Sequence, residues 1–301
     1  MNFDAVLIAG PTASGKSAAA LTLAEQIGGV ILNADSMQVY RQTRILSARP
    51  VDEETARAPH LLYGHVGVEE VYSVGRFQAD AARALAEARA RKRIPIFTGG
   101  TGLYFAALTE GLADIPPTPP AIRAEARVKL DAIGVEALHG ELAARDPETA
   151  RGLRPSDPQR VLRAYEVFAA TGRPLARWQE EAGKPVLENL RLAKFVLDVP
   201  RAELIARIER RFRAMLAAGA MEEALMLQSL DPALPAAKML GAAPLQALHA
   251  GTMDKEEAVA AAVIATRQYA KRQMTWFRGR MADWNWLTPA ESNIIAQLKR
   301  V

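Results

Sequence analysis

The stretch Ala5-Val6-Leu7-Ile8-Ala9-Gly10-Pro11-Thr12-Ala13-Ser14-Gly15-Lys16-Ser17 decides the fold. Its apolar first five residues read as a strand buried on both faces, and not as a secretory leader. Its last eight match G-x-x-x-x-G-K-[ST] at every fixed position, and Lys16 to Ile27 continue with helical spacing. Strand, glycine-rich turn, helix is the context in which this motif cradles phosphate. Successive backbone N–H groups of Gly10, Pro11, Thr12, Ala13, Ser14 and Gly15 curl around the anion, which sits at the positive helix end (Pro11 itself has no N–H to offer). Lys16 adds a mobile charge, and Ser17 offers a hydroxyl to Mg²⁺. The loop specifies a polyphosphate without specifying which.

The same alternation recurs further along the chain. Val30-Ile31-Leu32 leads into Asn33-Ala34-Asp35-Ser36, an alanine-rich helix is predicted over Arg76 to Arg93, and Ile94-Pro95-Ile96-Phe97 leads into Gly99-Gly100-Thr101-Gly102. Such alternation implies an α/β fold: a P-loop core with a mostly parallel sheet flanked by helices, whose ligands sit beyond the carboxyl ends of the strands. The texture changes near Asp114. Ile115-Pro116-Pro117-Thr118-Pro119-Pro120 is stiff, and residues 121 to 182 carry only helical patterns. Leu192 to Val199 reads as a strand returning to the sheet, Arg201 to Leu230 as helices broken at Gly219, Glu256 to Arg272 as a further helix, and Trp284 to Leu287 as an edge strand. The expected organisation is therefore 1–114 as the first part of the core, 115–188 as an all-helical insertion, and 189–301 as the second part.

Composition narrows the function. The chain of 301 residues is 50% hydrophobic, enough for a sizeable core, and no apolar run is long enough to cross a bilayer. It has no cysteine, which excludes disulfides and thiolate chemistry and fits a reducing cytosol. Net charge is +4, with arginine-rich stretches at Arg89 to Arg93, Arg207 to Arg213 and Lys271 to Arg280. A basic balance suits polyanions and equally suits solvated helix faces. Arg207 and Arg211, four apart on a predicted helix, can face one anion, either a diphosphate or an RNA backbone, or else solvent. The four tryptophans are expected to pack, and the four histidines show no metal-ligand spacing.

A P-loop by default serves ATP, as in a small-molecule kinase, and Asp35 would then hold Mg²⁺ or activate a hydroxyl. A lone Asp after a strand is more often a turn or cap residue. The residues alone leave Asp35 open.

Asp35-Ser36-Met37-Gln38-Val39-Tyr40-Arg41, Gly99-Gly100-Thr101-Gly102-Leu103-Tyr104, Asp157-Pro158-Gln159-Arg160-Val161-Leu162-Arg163-Ala164 and Thr266-Arg267-Gln268-Tyr269-Ala270-Lys271-Arg272-Gln273 with Trp276 occur in that order. Together with the P-loop they resemble the tRNA dimethylallyltransferase (tRNA isopentenyltransferase) family, bacterial type, from Gly10 to about Arg278. The resemblance implies that the P-loop holds dimethylallyl diphosphate with Mg²⁺, and that the acceptor is N6 of the adenosine 3′ of the anticodon. It implies Asp35 and Thr101 as catalytic residues, with Asp35 accepting a hydrogen bond or proton from the amine. It further implies tRNA contacts at Asp35, Ser36, Met37, Gln38, Thr101, Arg123, Gln159, Arg160, Val161, Leu162 and Arg163. The insertion would grip the anticodon stem-loop, and the chain would act as a cytoplasmic monomer with no membrane partner. A transferase acting on free adenine nucleotides, or an RNA-binding protein with a nucleotide switch, are the competing readings.

Two departures from the family pattern stand out. After Gly241 the chain has Ala242-Ala243-Pro244-Leu245, where an aromatic residue and a basic-polar pair are usual, and Arg49 stands where lysine is usual. The cysteine-free chain also has no counterpart of the zinc module of some eukaryotic members.

Overall fold

The computed structural model describes residues 2–181, 183–289 and 293–298. Ala182, which closes the expected helical stretch, and the outermost ends of the expected core segments lie outside the described residues. The elements run β1 (Ala5–Ala9), α1 (Lys16–Ile27), β2 (Val30–Asn33), α2 (Asp52–Arg57), β3 (His60–Leu61), α3 (Val74–Ala90), β4 (Pro95–Gly99), α4 (Gly102–Thr109), α5 (Pro120–Arg145), α6 (Pro147–Arg151), α7 (Pro158–Thr171), α8 (Leu175–Glu180), β5 (Leu192–Leu197), α9 (Arg201–Ala217), α10 (Ala220–Leu227), α11 (Ala242–His249), α12 (Lys255–Arg280), β6 (Asn285–Leu287) and α13 (Ile294–Leu298). A 3₁₀ turn covers Ala236–Lys238. The chain divides into two compact units, one made of residues up to Leu108 and from Val186 onward, the other of Thr109–Pro185.

The first unit is built on a six-stranded sheet of order β3-β2-β4-β1-β5-β6. Every pairing is parallel. All residues of β1, β2 and β4 are buried, as strands covered on both faces must be. Val6, Ile8, Leu21, Ile31, Ile96 and Phe195 form the core between sheet and helices. The order makes β2, β4 and β1 neighbours, so their carboxyl ends deliver Asn33, Gly99 and Ala9 to one edge. Gly99 is required there, since a Cβ at that position would meet the Ala34 carbonyl oxygen at 2.0 Å.

The sequence missed β3, two half-buried residues after Pro59 with too short a pattern to read. It also set helix limits wrongly where caps decide them. Ser73 accepts from the Arg76 N–H and so starts α3 ahead of Arg76. A capping box of Asp254 and Glu257 starts α12, which runs beyond Arg272 because its buried stripe continues through Gln273 and Phe277. Gly219, at φ 103°, separates α9 from α10 as read from the sequence.

The second unit carries only helices among its described residues. Gly134 is non-helical (φ 78°, ψ 167°), so α5 is two helices joined at a glycine. The Asp146 and Asp157 carboxylates cap α6 and α7 by accepting from the N–H groups of Thr149 and Arg160. Leu130, Leu138, Val161 and Leu162 make one core cluster, and Leu142, Ala164, Val167 and Leu175 another.

Candidate active site

The P-loop closes β1 against α1 with two residues in the left-handed region, Ala13 (φ 64°) and Gly15 (φ 91°). Lys16 is buried and turns its Nζ back onto the Pro11 carbonyl, 3.2 Å away. Burial depresses its pKa to about 8. The nearby Asp35 carboxylate opposes the depression and the Arg211 guanidinium adds to it. Ser17 is exposed on the first turn of α1. Two of the α9 arginines reach this loop. Arg207 donates to the Ser14 carbonyl at 3.1 Å, and Arg211 donates to the Thr12 hydroxyl. Their shared helix face is therefore turned to the P-loop, and the solvated alternative does not hold for either. Burial lowers the Arg211 pKa, with Asp35 opposing.

Asp35 sits just beyond β2. Asn33, fully buried, accepts from the Asp35 N–H at 2.9 Å and donates to the carbonyls of Asp35 and Leu62. One Asp35 oxygen accepts from the Met37 N–H at 2.9 Å. A Cβ on Gly100 would lie 3.4 Å from the other oxygen, so Asp35 faces the loop after β4. From that loop the Thr101 hydroxyl accepts from the Ser36 N–H at 2.9 Å and meets the Ser36 hydroxyl at 3.2 Å. The two residues singled out for catalysis are thus tied into one unit.

Helix α12 supplies what the sequence reading did not single out. Gln273 is buried; its carbonyl accepts from the Thr12 N–H at 3.0 Å, and its amide donates to the Gly100 carbonyl at 2.8 Å. It clasps the P-loop to the Thr101 loop. Three residues further along, Trp276 lies where a Gly102 side chain would be, 2.2 Å from that Cβ position. Tyr269 hydrogen-bonds Thr101, and burial beside Asp35 keeps its hydroxyl protonated. Spacing was the available signal, because Thr266, Tyr269, Gln273 and Trp276 recur at helical intervals.

A cavity of about 60 Å³ opens beside these groups. Thr12, Asp35, Arg211, Thr266, Tyr269 and Ser47 are its polar lining, while Met37, Leu46, Ile208, Phe212, Met215, Met239 and Leu240 make the rest of it apolar. A larger cavity of about 530 Å³ runs along α1 from the P-loop, bordered by Ser14, Gly15, Thr22, Leu197, Arg207 and Leu287. It does not reach Asp35, whereas the smaller space joins Asp35 to Arg211 and Thr12, so the smaller space is the one the chemistry favours.

Other sequence candidates fall elsewhere. Gln38 spends its amide on the carbonyls of Ser47 and Ala48, bracing the loop around Leu46. In the second unit, Arg123, Gln159 and Arg160 are exposed, and Arg163 donates to the Thr118 hydroxyl at 3.1 Å. Val161 and Leu162 are not surface groups. They are 0% and 7% exposed, because the apolar stripe of α7 turns them into the core, and their side chains serve packing. Trp284 is buried as expected, edge-on to Phe105, but Trp178, Trp276 and Trp286 are only half-buried. Among the described residues no three His, Cys, Asp or Glu could hold a metal together, and no helix is long and apolar enough to cross a membrane.

The departures have structural answers. Ala242 and Leu245 are buried at the start of α11, and Gly241 (φ 87°) lets the Phe212 ring approach the backbone. Arg49 donates to the Tyr40 carbonyl at 3.2 Å and packs over Gly64, where any side chain would collide with it.

The family model described as IPP transferase matches residues 38–280. The tRNA dimethylallyltransferase of Nitrobacter hamburgensis is 51% identical over 300 residues, covering 99% of this chain and 94% of that protein. The chain belongs to the IPP transferase family. Among solved structures of the family, the full-length tRNA isopentenylpyrophosphate transferase of Bacillus halodurans is 33% identical with a TM-score of 0.65, covering 95% of this chain and 89% of that one. A eukaryotic dimethylallyltransferase described as acting on tRNA is 26% identical with a TM-score of 0.78, covering 97% and 75%. The IPP transferase match spans Thr101, Arg211, Tyr269 and Gln273 and begins beyond the P-loop and Asp35, which the alignment to the Nitrobacter protein nevertheless covers almost entirely.

Proposed function

We propose that this IPP transferase moves the dimethylallyl group of dimethylallyl diphosphate onto N6 of the adenosine 3′ of the anticodon in tRNA, releasing pyrophosphate. One observation carries the reading. A phosphate loop with two arginines opens onto an apolar pocket, with Asp35 at the junction. A nucleoside triphosphate needs no apolar wall there, whereas an allylic diphosphate needs both halves.

The diphosphate lies on the P-loop from Gly10 to Ser17, drawing Lys16 away from the Pro11 carbonyl and restoring its full charge. Arg211 and Arg207 neutralise the leaving group as the C1–O bond breaks, stabilisation of the kind that dominates where charge develops. The N6–C1 bond forms in its place, and Asp35 takes the N6 proton, assistance worth roughly 10²–10⁴-fold. Thr101, fixed by Ser36 and Tyr269, orients the base. Mg²⁺ fits this donor set as an ion held chiefly by the diphosphate, since Ser17 offers an exposed hydroxyl and no carboxylate cluster is present among the described residues. Such an ion would offset negative charge on the departing pyrophosphate. The acceptor base must leave its stack, which is easiest in a single-stranded loop. The helical unit, with Arg123, Gln159, Arg160 and Arg163, grips the anticodon stem-loop, and the chain works as a cytoplasmic monomer.

The test is nucleoside mass spectrometry of an anticodon stem-loop incubated with the purified chain, Mg²⁺ and dimethylallyl diphosphate. A prenylated adenosine is expected. Unmodified RNA, together with phosphate transfer from ATP to a small acceptor, would replace the reading with a kinase.

A further inference from the structure

We propose that Phe212 limits the donor to one isoprenoid unit, making it the residue that selects a five-carbon over a ten-carbon allylic diphosphate. The proposal rests on the donor-site reading above. Ile208, Arg211, Phe212 and Met215 share the face of α9 that lines the apolar cavity. Arg211 marks the diphosphate end, because it holds the P-loop through the Thr12 hydroxyl. At about 1.5 Å per residue, Met215 lies only about 6 Å further along the helix. One isoprenoid unit, four carbons in its main chain, spans roughly 4–5 Å at about 1.5 Å per bond. The wall is therefore met after one unit.

Phe212 is the part of that wall that cannot retreat. It is buried, and its ring rests on the bare backbone of Gly241, where a Cβ would come within 2.6 Å of Cε2. Met215 and Met239 beside it are flexible and adjust to a chain end. A phenyl ring backed by main chain does not. Another part of the lining is fixed as well. The Glu223 carboxylate accepts from the N–H groups of Ile45 and Leu46, both at 2.8 Å, and so holds Leu46 at the cavity. A second isoprenoid unit would have to displace the ring or unpick that clamp.

The experiment compares kcat/KM for dimethylallyl and geranyl diphosphates on one anticodon stem-loop, for the natural chain, Phe212→Ala and Phe212→Leu. The leucine variant keeps most of the packing should the alanine variant fail to fold, and a cooperative thermal unfolding transition with turnover of dimethylallyl diphosphate verifies folding in both. The natural chain should prefer the shorter donor by about 100-fold or more, since each surplus methylene in a closed pocket is discriminated by roughly 10-fold or more. Phe212→Ala should cut that preference by about 10-fold or more, chiefly through a lower KM for the longer donor, and Phe212→Leu by less. An unchanged preference in variants that still bind RNA and use dimethylallyl diphosphate would overturn the assignment of Phe212 alone. So would a natural chain that accepts both donors equally. Transfer from neither donor would instead overturn the donor-site reading and take this proposal with it.

Discussion

The carboxyl edge of the sheet and the α7 segment both held candidate residues, and they are made in opposite ways. At the sheet edge the site is held by bonds to backbone: Asn33 on Asp35, Thr101 on Ser36, Gln273 on Thr12 and Gly100, and Arg207 on Ser14. In α7 Arg160 stands exposed and Arg163 is half-buried against Thr118, while Val161 and Leu162 between them are core. The Arg160–Asp157 ion pair, at 3.5 Å with the arginine side chain 73% exposed, constrains little. The edge is built for fixed geometry and α7 for adjustable charge. Substitutions should therefore cost rate in the first region and affinity in the second.

Asp35→Ala is the strongest attempt to break that contrast. It should lower kcat by about 10²–10⁴-fold and leave anticodon stem-loop affinity within a few-fold. Equal losses in both would return Asp35 to a binding role. Gln273→Ala should come next. It leaves the Thr12 N–H and the Gly100 carbonyl without partners, each worth about 1–3 kcal/mol if it stays buried. Thermal unfolding should register the loss, and kcat should fall because the two loops are no longer held together. Stability loss alone, with kcat unchanged, would make Gln273 a purely structural brace.

Lys16 gives a smaller, graded effect. Its pKa of about 8 in the free protein rises when a diphosphate arrives, because anionic oxygens favour the charged form. Donor affinity should be level below pH 8 and fall by up to about tenfold per pH unit above it, as the free lysine loses the proton that binding requires. Isothermal titration in buffers of different ionisation enthalpy should show proton uptake on donor binding near pH 8. A flat profile from pH 7 to 9.5 would show that the lysine stays charged in the free site. Folding responds with the opposite slope: the folded pKa is depressed, so the cost of burying the charge is full below about 8 and disappears as pH rises towards the ordinary lysine value.

What the sequence revealed of this site followed from how local the information was. The P-loop, the strand ends at Asn33 and Gly99 and the break at Gly219 are set by residues adjacent in the chain, and spacing alone exposed them. The clasp at Gln273 joins residues 261 positions apart, and nothing near Gln273 indicates that its amide ends on Gly100. Glu223 reaches Ile45 and Leu46 over a similar gulf. Val161 and Leu162 show the opposite case: the resemblance gave them as part of a contacting block, and the helical period of α7 turns their side chains inward. Resemblance located the segment, and only periodicity could divide it into contacting and packing residues.

That division yields the smallest effect and the sharpest test of the α7 half. Arg160→Ala should weaken stem-loop binding only a few-fold and lower the slope of log affinity against log salt by about 1, the signature of one lost phosphate contact. Its kcat at saturating RNA should not change. Leu162→Ala should instead lower stability by about 2–5 kcal/mol, the usual result of hollowing a packed core, and leave the salt slope as it was. The pair separates charge from packing within three residues. If Leu162→Ala flattened the slope as Arg160→Ala does, the RNA surface would have to extend into what is now the core of the helical unit, and the contrast between the two regions would fail.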